Sequence, residues 1–322
     1  MKKIGVFTSG GDSPGMNACL RAVVRTGIHY GLEVYGIYRG YEGMIEGDIE
    51  RLDDHFVSGI IQRGGTVLKT ARSEAFRTPE GRKQAFNALQ AKGIEGLVVI
   101  GGDGSFRGAM ALNKEFDIPV IGCPGTIDND LFGTDYTIGY DTAVNTVVDA
   151  VDHIRDTADS HNRLFFIEVM GRDAGFIALR SGIASGAESV LIPETTTYID
   201  KLITILDQGW KRNKRSAMIL VAEGDESGGA YEVAQQVKEK FPQWETKVTV
   251  LGHIQRGGRP SAFDRVVASR MGNEAVKALL NGKTNQMVGL QHGAMVLVPF
   301  EKATKHHHEI NKHLLELVDV LS

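Results

Sequence analysis

Four apolar runs in this chain end in the same kind of turn. They read GVFTSGGDSPG from Gly5, VVIGGDGSFRG from Val98, FIEVMGRDAG from Phe166 and ILVAEGDESGG from Ile219. Most are nearly continuously apolar, which suits strands of a parallel sheet covered on both faces. The strands predicted on this basis include Ile4–Thr8, Val34–Tyr38, Leu97–Ile100, Val120–Gly122, Leu164–Val169, Ala217–Val221 and Val248–Leu251. Helical patterns separate them. Ser13–Pro14 predicts an N-cap with proline at the first helical position, leading to about His29. Thr78–Pro79–Glu80 repeats the signal, and Gly93 closes that helix. Over Asp141–Ser160, Val144, Val147, Val148, Val151 and Ile154 form one stripe at helical spacing. Strand–helix alternation of this kind predicts a doubly wound α/β fold.

Two of the four junctions lie in each half of the chain. Two similar α/β domains with mostly parallel sheets are therefore expected, with a ligand cleft between them at the carboxyl ends of the strands. A length of 322 residues agrees with two domains. A late strand at Met295–Val298 and a helix near Ile310–Val320 complete them, so the chain crosses between domains more than once. The expected spans are 1–139 with 255–305, and 140–254 with 306–322.

The balance of charge excludes some functions. Lys plus Arg is 36 and Asp plus Glu is 40, a net charge of −4, so no global basic excess points to nucleic acid or a membrane surface. No run approaches 18 apolar residues, and MKKIGVFTSGGDSPG lacks the apolar core of a signal peptide. Two cysteines, Cys19 and Cys123, cannot build a disulfide framework, and a reducing cytoplasm is expected.

Anion binding must then be local. Gly10–Gly11 and Gly101–Gly102–Asp103–Gly104–Ser105 each follow a strand and open a helix. There the backbone can approach a phosphate, and the helix N-terminus offers N–H donors. Neither loop is a Walker A motif. Neither is a dinucleotide fingerprint, since Arg107 stands where a third glycine belongs. Asp103 within the second loop favours a nucleotide with Mg²⁺, because a hard cation needs carboxylate oxygen near phosphate. The sharpest feature is Pro124–Gly125–Thr126–Ile127–Asp128–Asn129–Asp130, with two carboxylates two residues apart at a strand end. One can serve as a general base while the other orients. Alone, such a run reads as an acidic turn; at a strand end in a glycine-lined cleft it reads as a site. The basic residues Arg72, Arg163, Arg172, Lys247, His253 and Arg256 fall at element ends, and the guanidinium forks of the arginines match phosphate oxygens. The run His306–His308 is read as solvated, because consecutive histidines on a helix cannot converge on one ion.

Taken together, Gly10 to Asn17, Gly101 to Ser105, Pro124 to Asp130, Met170–Gly171–Arg172 and Gly252 to Gly258 resemble bacterial ATP-dependent 6-phosphofructokinase, from Lys2 to the C-terminus. The resemblance implies transfer of the ATP γ-phosphoryl group to the 1-hydroxyl of fructose 6-phosphate. It implies a homotetramer with sites partly built across subunits. It gives the first domain to ATP and the second to fructose 6-phosphate. Asp128 would be the base, with Thr126, Asp130 and Arg172 supporting the transferring group. Gly11, Arg72, Ser73, Gly102, Asp103, Gly104 and Ser105 would hold ATP, with Asp103 on Mg²⁺. Met170, Gly171, Arg172, Glu223, His253 and Arg256 would hold the sugar phosphate, together with Thr126 and Asp128. Arg163 and Lys247 would reach it from a neighbouring subunit. A regulatory nucleotide site would use Arg21, Arg25, Arg155, Gly186, Ala187, Glu188, Arg212, Lys214 and Arg215.

The chain departs from the family pattern at three positions. Lys247 replaces a usual arginine and loses the bidentate fork. Asp54 stands where arginine is common, and Ser216 where histidine is common. Gly104 and Gly125 favour ATP over pyrophosphate, since pyrophosphate-dependent relatives tend to carry aspartate and lysine there. The alternatives are such a pyrophosphate enzyme, a non-catalytic two-domain sugar-phosphate sensor, or a kinase sharing only the Gly-Gly-Asp-Gly loop. The sensor would not need Asp103 and Asp128 near one phosphate. The last would not explain Pro124 to Asp130.

Overall fold

The computed structural model describes residues 1–161, 163–196, 199–212, 216–305 and 309–321. In chain order its strands are β1 Lys3–Thr8, β2 Glu33–Ile37, β3 Ile49–Leu52, β4 Gly96–Gly101, β5 Val120–Pro124, β6 Arg163–Val169, β7 Ser189–Leu191, β8 Ala217–Ala222, β9 Glu245–Val250, β10 Gln286–Gln291 and β11 Ala294–Pro299. The helices are α1 Met16–His29, α2 Gly40–Glu46, α3 Pro79–Lys92, α4 Asp103–Phe116, α5 Tyr140–His161, α6 Phe176–Ser185, α7 Ile199–Lys211, α8 Ala230–Lys240, α9 Ala262–Leu280, α10 Phe300–Lys305 and α11 Lys312–Leu321. The chain divides into two compact units. The first comprises Met1–Ile127, Leu131–Thr142 and Arg256–His308; the second comprises Asp128–Asp130, Ala143–Gln255 and Glu309–Ser322.

In the first unit a seven-stranded sheet runs β11-β10-β5-β4-β1-β2-β3. The inner pairs are parallel, while β2·β3 and β10·β11 are antiparallel at the two edges. Strand β4 is buried at all six positions, as its unbroken apolar run requires. One face packs under α1 and α9 through Leu20, Val24, Met271 and Val276; the other packs Phe7, Leu89, Phe106 and Phe300. Phe106 of α4 stacks on Phe300 of α10 at 4.8 Å. Gly122 lies beneath that stack, where a Cβ would come within 2.5 Å of Phe106. Each such phenylalanine contributes about 1.5–3 kcal/mol by leaving water.

The second unit carries a fully parallel sheet in the order β7-β8-β6-β9. Its core gathers Leu164, Phe166, Ile219, Val221, Val233, Phe241 and Trp244. Both sheets and their covering helices give the expected α/β class with mostly parallel strands.

Local differences have local causes. Thr78 caps α3 as expected, accepting the Gly81 N–H at 3.0 Å with Pro79 at the first helical position, and Gly93 ends the helix at φ 69°. Ser13 does not cap α1. Gly15 does, at φ 112°, a conformation that favours glycine, and the buried Ser13 hydroxyl has no hydrogen-bond partner among the described residues. Strands β3, β7 and β10 add to those expected. Cys19 and Cys123 are both buried and unbridged. The run His306–His308, and Lys214 and Arg215, lie outside the described residues. Among the described residues no helix is long and apolar enough to cross a membrane.

Candidate active site

In the first unit, the loops after β1 and β4 lie side by side because those strands pair in parallel. Ser9 N–H donates to the Ile100 carbonyl at 3.0 Å, which ties the two loops at their base. A Cβ at Gly101 would sit 2.5 Å from both the Ser9 carbonyl and the Ser105 hydroxyl, so only glycine permits this approach. Helix α4 begins at Asp103 with Gly102 as its N-cap. Asp103, Gly104 and Ser105 are therefore the first turn of a helix rather than a loop leading to one, and the positive end of the dipole opens there. Asp103 Oδ1 lies 2.9 Å from Arg107 Nε, one turn along. Gly104 faces open space, with nothing within 4 Å of a Cβ built on it. Ser105 is buried, and its carbonyl accepts the Tyr41 hydroxyl at 2.6 Å. Gly11 is exposed, and a Cβ there would collide with the Arg256 guanidinium. Arg256 Nη1 also lies 3.5 Å from the Asp12 carbonyl. Arg256, expected with the sugar-phosphate residues, thus sits with Gly11 in this unit. Arg72 is exposed; the Ser73 hydroxyl accepts the Phe76 N–H at 3.1 Å and shapes the turn after it.

The chain leaves β5 at Pro124 and is held from the far side. Thr137 donates its hydroxyl to the Thr126 carbonyl at 2.6 Å, and Ile138 N–H donates to the Pro124 carbonyl at 2.8 Å. Gly125 is buried, with Met16 and Ile100 about 3 Å from where a Cβ would lie.

In the second unit, Asp128 is 3% exposed. Arg172 Nε approaches its Oδ2 at 4.0 Å, and the Arg172 side chain is otherwise exposed to solvent. Asn129, between the two carboxylates, and Arg172 both adopt φ 54°, a left-handed conformation that side chains rarely accept. The Met170–Arg172 turn is fixed from two sides. Glu223 Oε1 accepts the N–H groups of Gly171 at 3.3 Å and Arg172 at 2.7 Å. Gln255 Oε1 accepts the Met170 N–H at 3.1 Å, while its amide donates to the Gly252 carbonyl at 3.0 Å. Gln255 is fully buried and joins the loops that follow β6 and β9. The motif around it was legible, but its own role was not. His253 is exposed in the short 3-10 turn Gly252–Arg256.

Register brings a further group together. β6 and β9 pair so that Arg163 stands opposite Glu245. Glu245 takes Arg163 Nε on Oε2 at 3.1 Å and Lys247 Nζ on Oε1 at 2.7 Å. The hydrogen bond from Lys247, then that from Arg163, holds the Glu245 carboxyl down at about 2.

The candidate effector residues fall in both units. Arg25 Nε lies 3.8 Å from Asp54 Oδ1, so the acidic residue at this position occupies a cation of the set. Arg21 is half-buried. Arg155 donates to the carbonyls of Ser185 at 2.5 Å and Gly186 at 3.3 Å. The Glu188 carboxylate is buried and accepts the Met218 N–H. Arg212 is exposed just after α7.

One carboxylate at a helix N-terminus suits a hard cation that draws its other ligands from phosphate and water. Asp103 fits that description. Among the described residues no three His, Cys, Asp or Glu gather into a dedicated metal site.

Residues 3–279 match the family profile described as Phosphofructokinase. The chain is 54% identical over 322 residues to ATP-dependent 6-phosphofructokinase 2 of Bacteroides thetaiotaomicron, covering 100% of this chain and 99% of that one. It is 56% identical to ATP-dependent 6-phosphofructokinase 1 of Thermus thermophilus, covering all of both. Among solved structures, phosphofructokinase of Saccharomyces cerevisiae superposes with a TM-score of 0.91 at 40% identity, over 95% of this chain and 45% of that one. A pyrophosphate-dependent phosphofructokinase of Marinobacter aquaeolei superposes at 0.84 with 23% identity, over 97% of this chain and 86% of that one, a likeness of fold alone. With the profile spanning most of its length and full-length relatives above half identity, the chain belongs to the phosphofructokinase family.

Proposed function

We propose that this chain is an ATP-dependent 6-phosphofructokinase, transferring the ATP γ-phosphoryl group to the 1-hydroxyl of fructose 6-phosphate in the cytoplasm. The observation that carries the reading is a buried carboxylate, Asp128, faced by the Arg172 guanidinium at 4.0 Å on a turn that also bears Thr126 and Asp130. Phosphoryl transfer to an alcohol needs a group to take the hydroxyl proton and positive charge for the transferring oxygens, and little else. Asp128 takes the proton. Arg172, with Thr126 and Asp130, steadies the moving phosphoryl group. Gly11, Arg72, Ser73 and Gly102 to Ser105 bind the nucleotide at the N-terminus of α4. Asp103 would hold Mg²⁺, which would supply neutralisation of the phosphate charge. Met170, Gly171, Glu223, His253 and Arg256 bind the sugar phosphate. Arg163 and Lys247 serve it from a neighbouring copy in a homotetramer. Arg21, Arg25, Arg155, Gly186, Glu188, Arg212 and Lys214 form the effector set.

The open space at Gly104 and the full-length relatives named as ATP-dependent support ATP as donor. The test is an assay of purified protein with fructose 6-phosphate and Mg²⁺, with ATP and pyrophosphate supplied separately. Turnover with ATP alone is expected. Comparable turnover with pyrophosphate would overturn the donor assignment, and turnover with neither would leave the sugar-phosphate sensor as the better account.

A further inference from the structure

Helices α5 and α9 begin side by side, and each supplies the other's missing hydrogen-bond partner. The Ser261 hydroxyl caps α9 by accepting the Asp264 N–H at 3.1 Å, and donates to Asp141 of α5 at 2.6 Å. Thr142 of α5 accepts the Ser261 N–H at 2.9 Å. Asp264 returns the interaction. It is 1% exposed, and its two oxygens accept three hydrogens: Gly139 N–H at 2.9 Å, Thr142 N–H at 2.8 Å and the Thr142 hydroxyl at 2.5 Å. A carboxylate is suited to the task, because it accepts on both oxygens and sits at the positive ends of two helices.

Such an arrangement could be a structural cap and nothing more. What Asp264 grips argues otherwise. Gly139 is the end of the 137–139 limb, whose other two residues hold the Thr126 and Pro124 carbonyls. Gly139 stands at φ 103°, where a Cβ would lie 2.6 Å from Ser13 and 3.0 Å from Pro14. Ser13 and Pro14 continue the loop of Gly10–Asp12. One buried carboxylate therefore grips a limb that bears on both the loop after β1 and the turn after β5.

We infer that Asp264 is a positioning residue for phosphoryl transfer, fixing through the 137–139 limb the turn that carries Thr126. The inference rests on the proposed reaction, but its mechanical part does not. Burial raises the Asp264 carboxyl to about 6, in keeping with a group held dry for its hydrogen bonds.

The test compares full-length wild type with Asp264→Asn, Thr137→Val and the double variant. Asparagine keeps the shape but offers one acceptor oxygen, so an NH₂ group meets an N–H of Gly139 or Thr142. Valine at 137 removes only the hydroxyl that reaches Thr126. Since misplacing a reacting group by ~1 Å costs about 100-fold, Asp264→Asn should lower kcat by about 10- to 100-fold, leaving KM for ATP and fructose 6-phosphate within about threefold. Amide exchange should quicken over 124–142 and stay unchanged in β1 and β4. Thr137→Val should show a smaller loss of kcat, and the double variant should be no worse than Asp264→Asn, since both act through one limb. A kcat within about threefold of wild type, or exchange that rises equally across the core strands, would overturn the inference. If Asp264→Asn does not fold, Thr137→Val decides alone: unchanged kcat and unchanged protection over 124–126 overturn it. If wild type transfers no phosphoryl group, the functional reading falls, while exchange over 124–142 still judges the limb.

Discussion

Replacing Asp128 with asparagine should separate rate from stability. Loss of a general base costs about 10²–10⁴ in rate, which is about 2.7–5.4 kcal/mol of transition-state stabilisation. The structural cost of losing the Arg172 pairing is far smaller. Asp128 is buried, but the guanidinium that faces it is not: the Arg172 side chain is 67% exposed, and the atoms are 4.0 Å apart. Two charges at ~4 Å with an effective dielectric of ~20 attract by ~4 kcal/mol before screening. With one partner in solvent, the net value falls to ~0.2–1 kcal/mol. For a chain of this size that moves the melting midpoint by no more than about 2–4 °C. Asparagine also keeps the side-chain volume, so no cavity opens. The assay is ADP release from saturating ATP and fructose 6-phosphate, beside a thermal melt of the same preparation. The expected result is a kcat reduced at least about 100-fold in a protein that melts almost normally, with ATP affinity retained. A kcat within about threefold of wild type would refute the assignment of Asp128 as base, and a loss of rate matched by loss of folded protein would refute the reasoning on stability.

Lys247→Ala should raise KM for fructose 6-phosphate by about 10- to 100-fold, as expected for one charge-assisted hydrogen bond, while Lys247→Arg keeps or improves it; steady-state kinetics decides, and an unchanged KM in the alanine variant removes Lys247 from the site. Asp54 pairs with Arg25 at 3.8 Å, so Asp54→Arg should release a cation, add another and strengthen the response to ADP or phosphoenolpyruvate several-fold, about 1 kcal/mol for exposed charges. Titration at sub-saturating fructose 6-phosphate reads this, and an unaltered response would show that position 54 does not govern the effector. Asp264 titrates at about 6 in the fold against an ordinary 3.8. Its raised value means stability that is fully present below pH ~4 and lost as pH rises through ~6, up to about 3 kcal/mol. Denaturant unfolding of wild type minus Asp264→Asn should therefore fall by about that amount from pH 4 to pH 7, and a flat difference would refute the shift.

Much of the fold is legible in the sequence. Continuous apolar runs named β1, β4, β5, β6 and β8 because their burial on both faces leaves no alternation to mislead. Thr78–Pro79 named the start of α3 because that signal is wholly local. Ser13–Pro14 misled for the opposite reason: the same two residues serve a turn whose shape is set by Gly15 and by distant Gly139. The edge strand β3, with the pattern IERL, and the three-residue β7 are too short to show a period. The loops that carry Asp103, Asp128 and Arg172 were legible as strand ends. Asp264 was not. Ser261 and Asp264 stand at capping-box spacing, but the carboxylate's partners Gly139 and Thr142 lie more than a hundred residues away and no local pattern records them. Glu245 was hidden likewise, since Arg163 meets it only through the register of β6 and β9, while Lys247 lies two residues along its own strand.

The left-handed backbone at Asn129 and Arg172 has a consequence for any attempt to evolve this chain. Arginine is less stable in that conformation than glycine by roughly 1–2 kcal/mol, whereas asparagine is among the few side chains that accept it. A library selected only for heat resistance should therefore enrich glycine at position 172, where the side chain is exposed, and keep the buried Asn129. The survivors would be sturdier proteins without the guanidinium that faces Asp128. Selection for catalysis would push that codon the other way. Position 172 would thus report, in one sequencing experiment, which of the two pressures a population had been under.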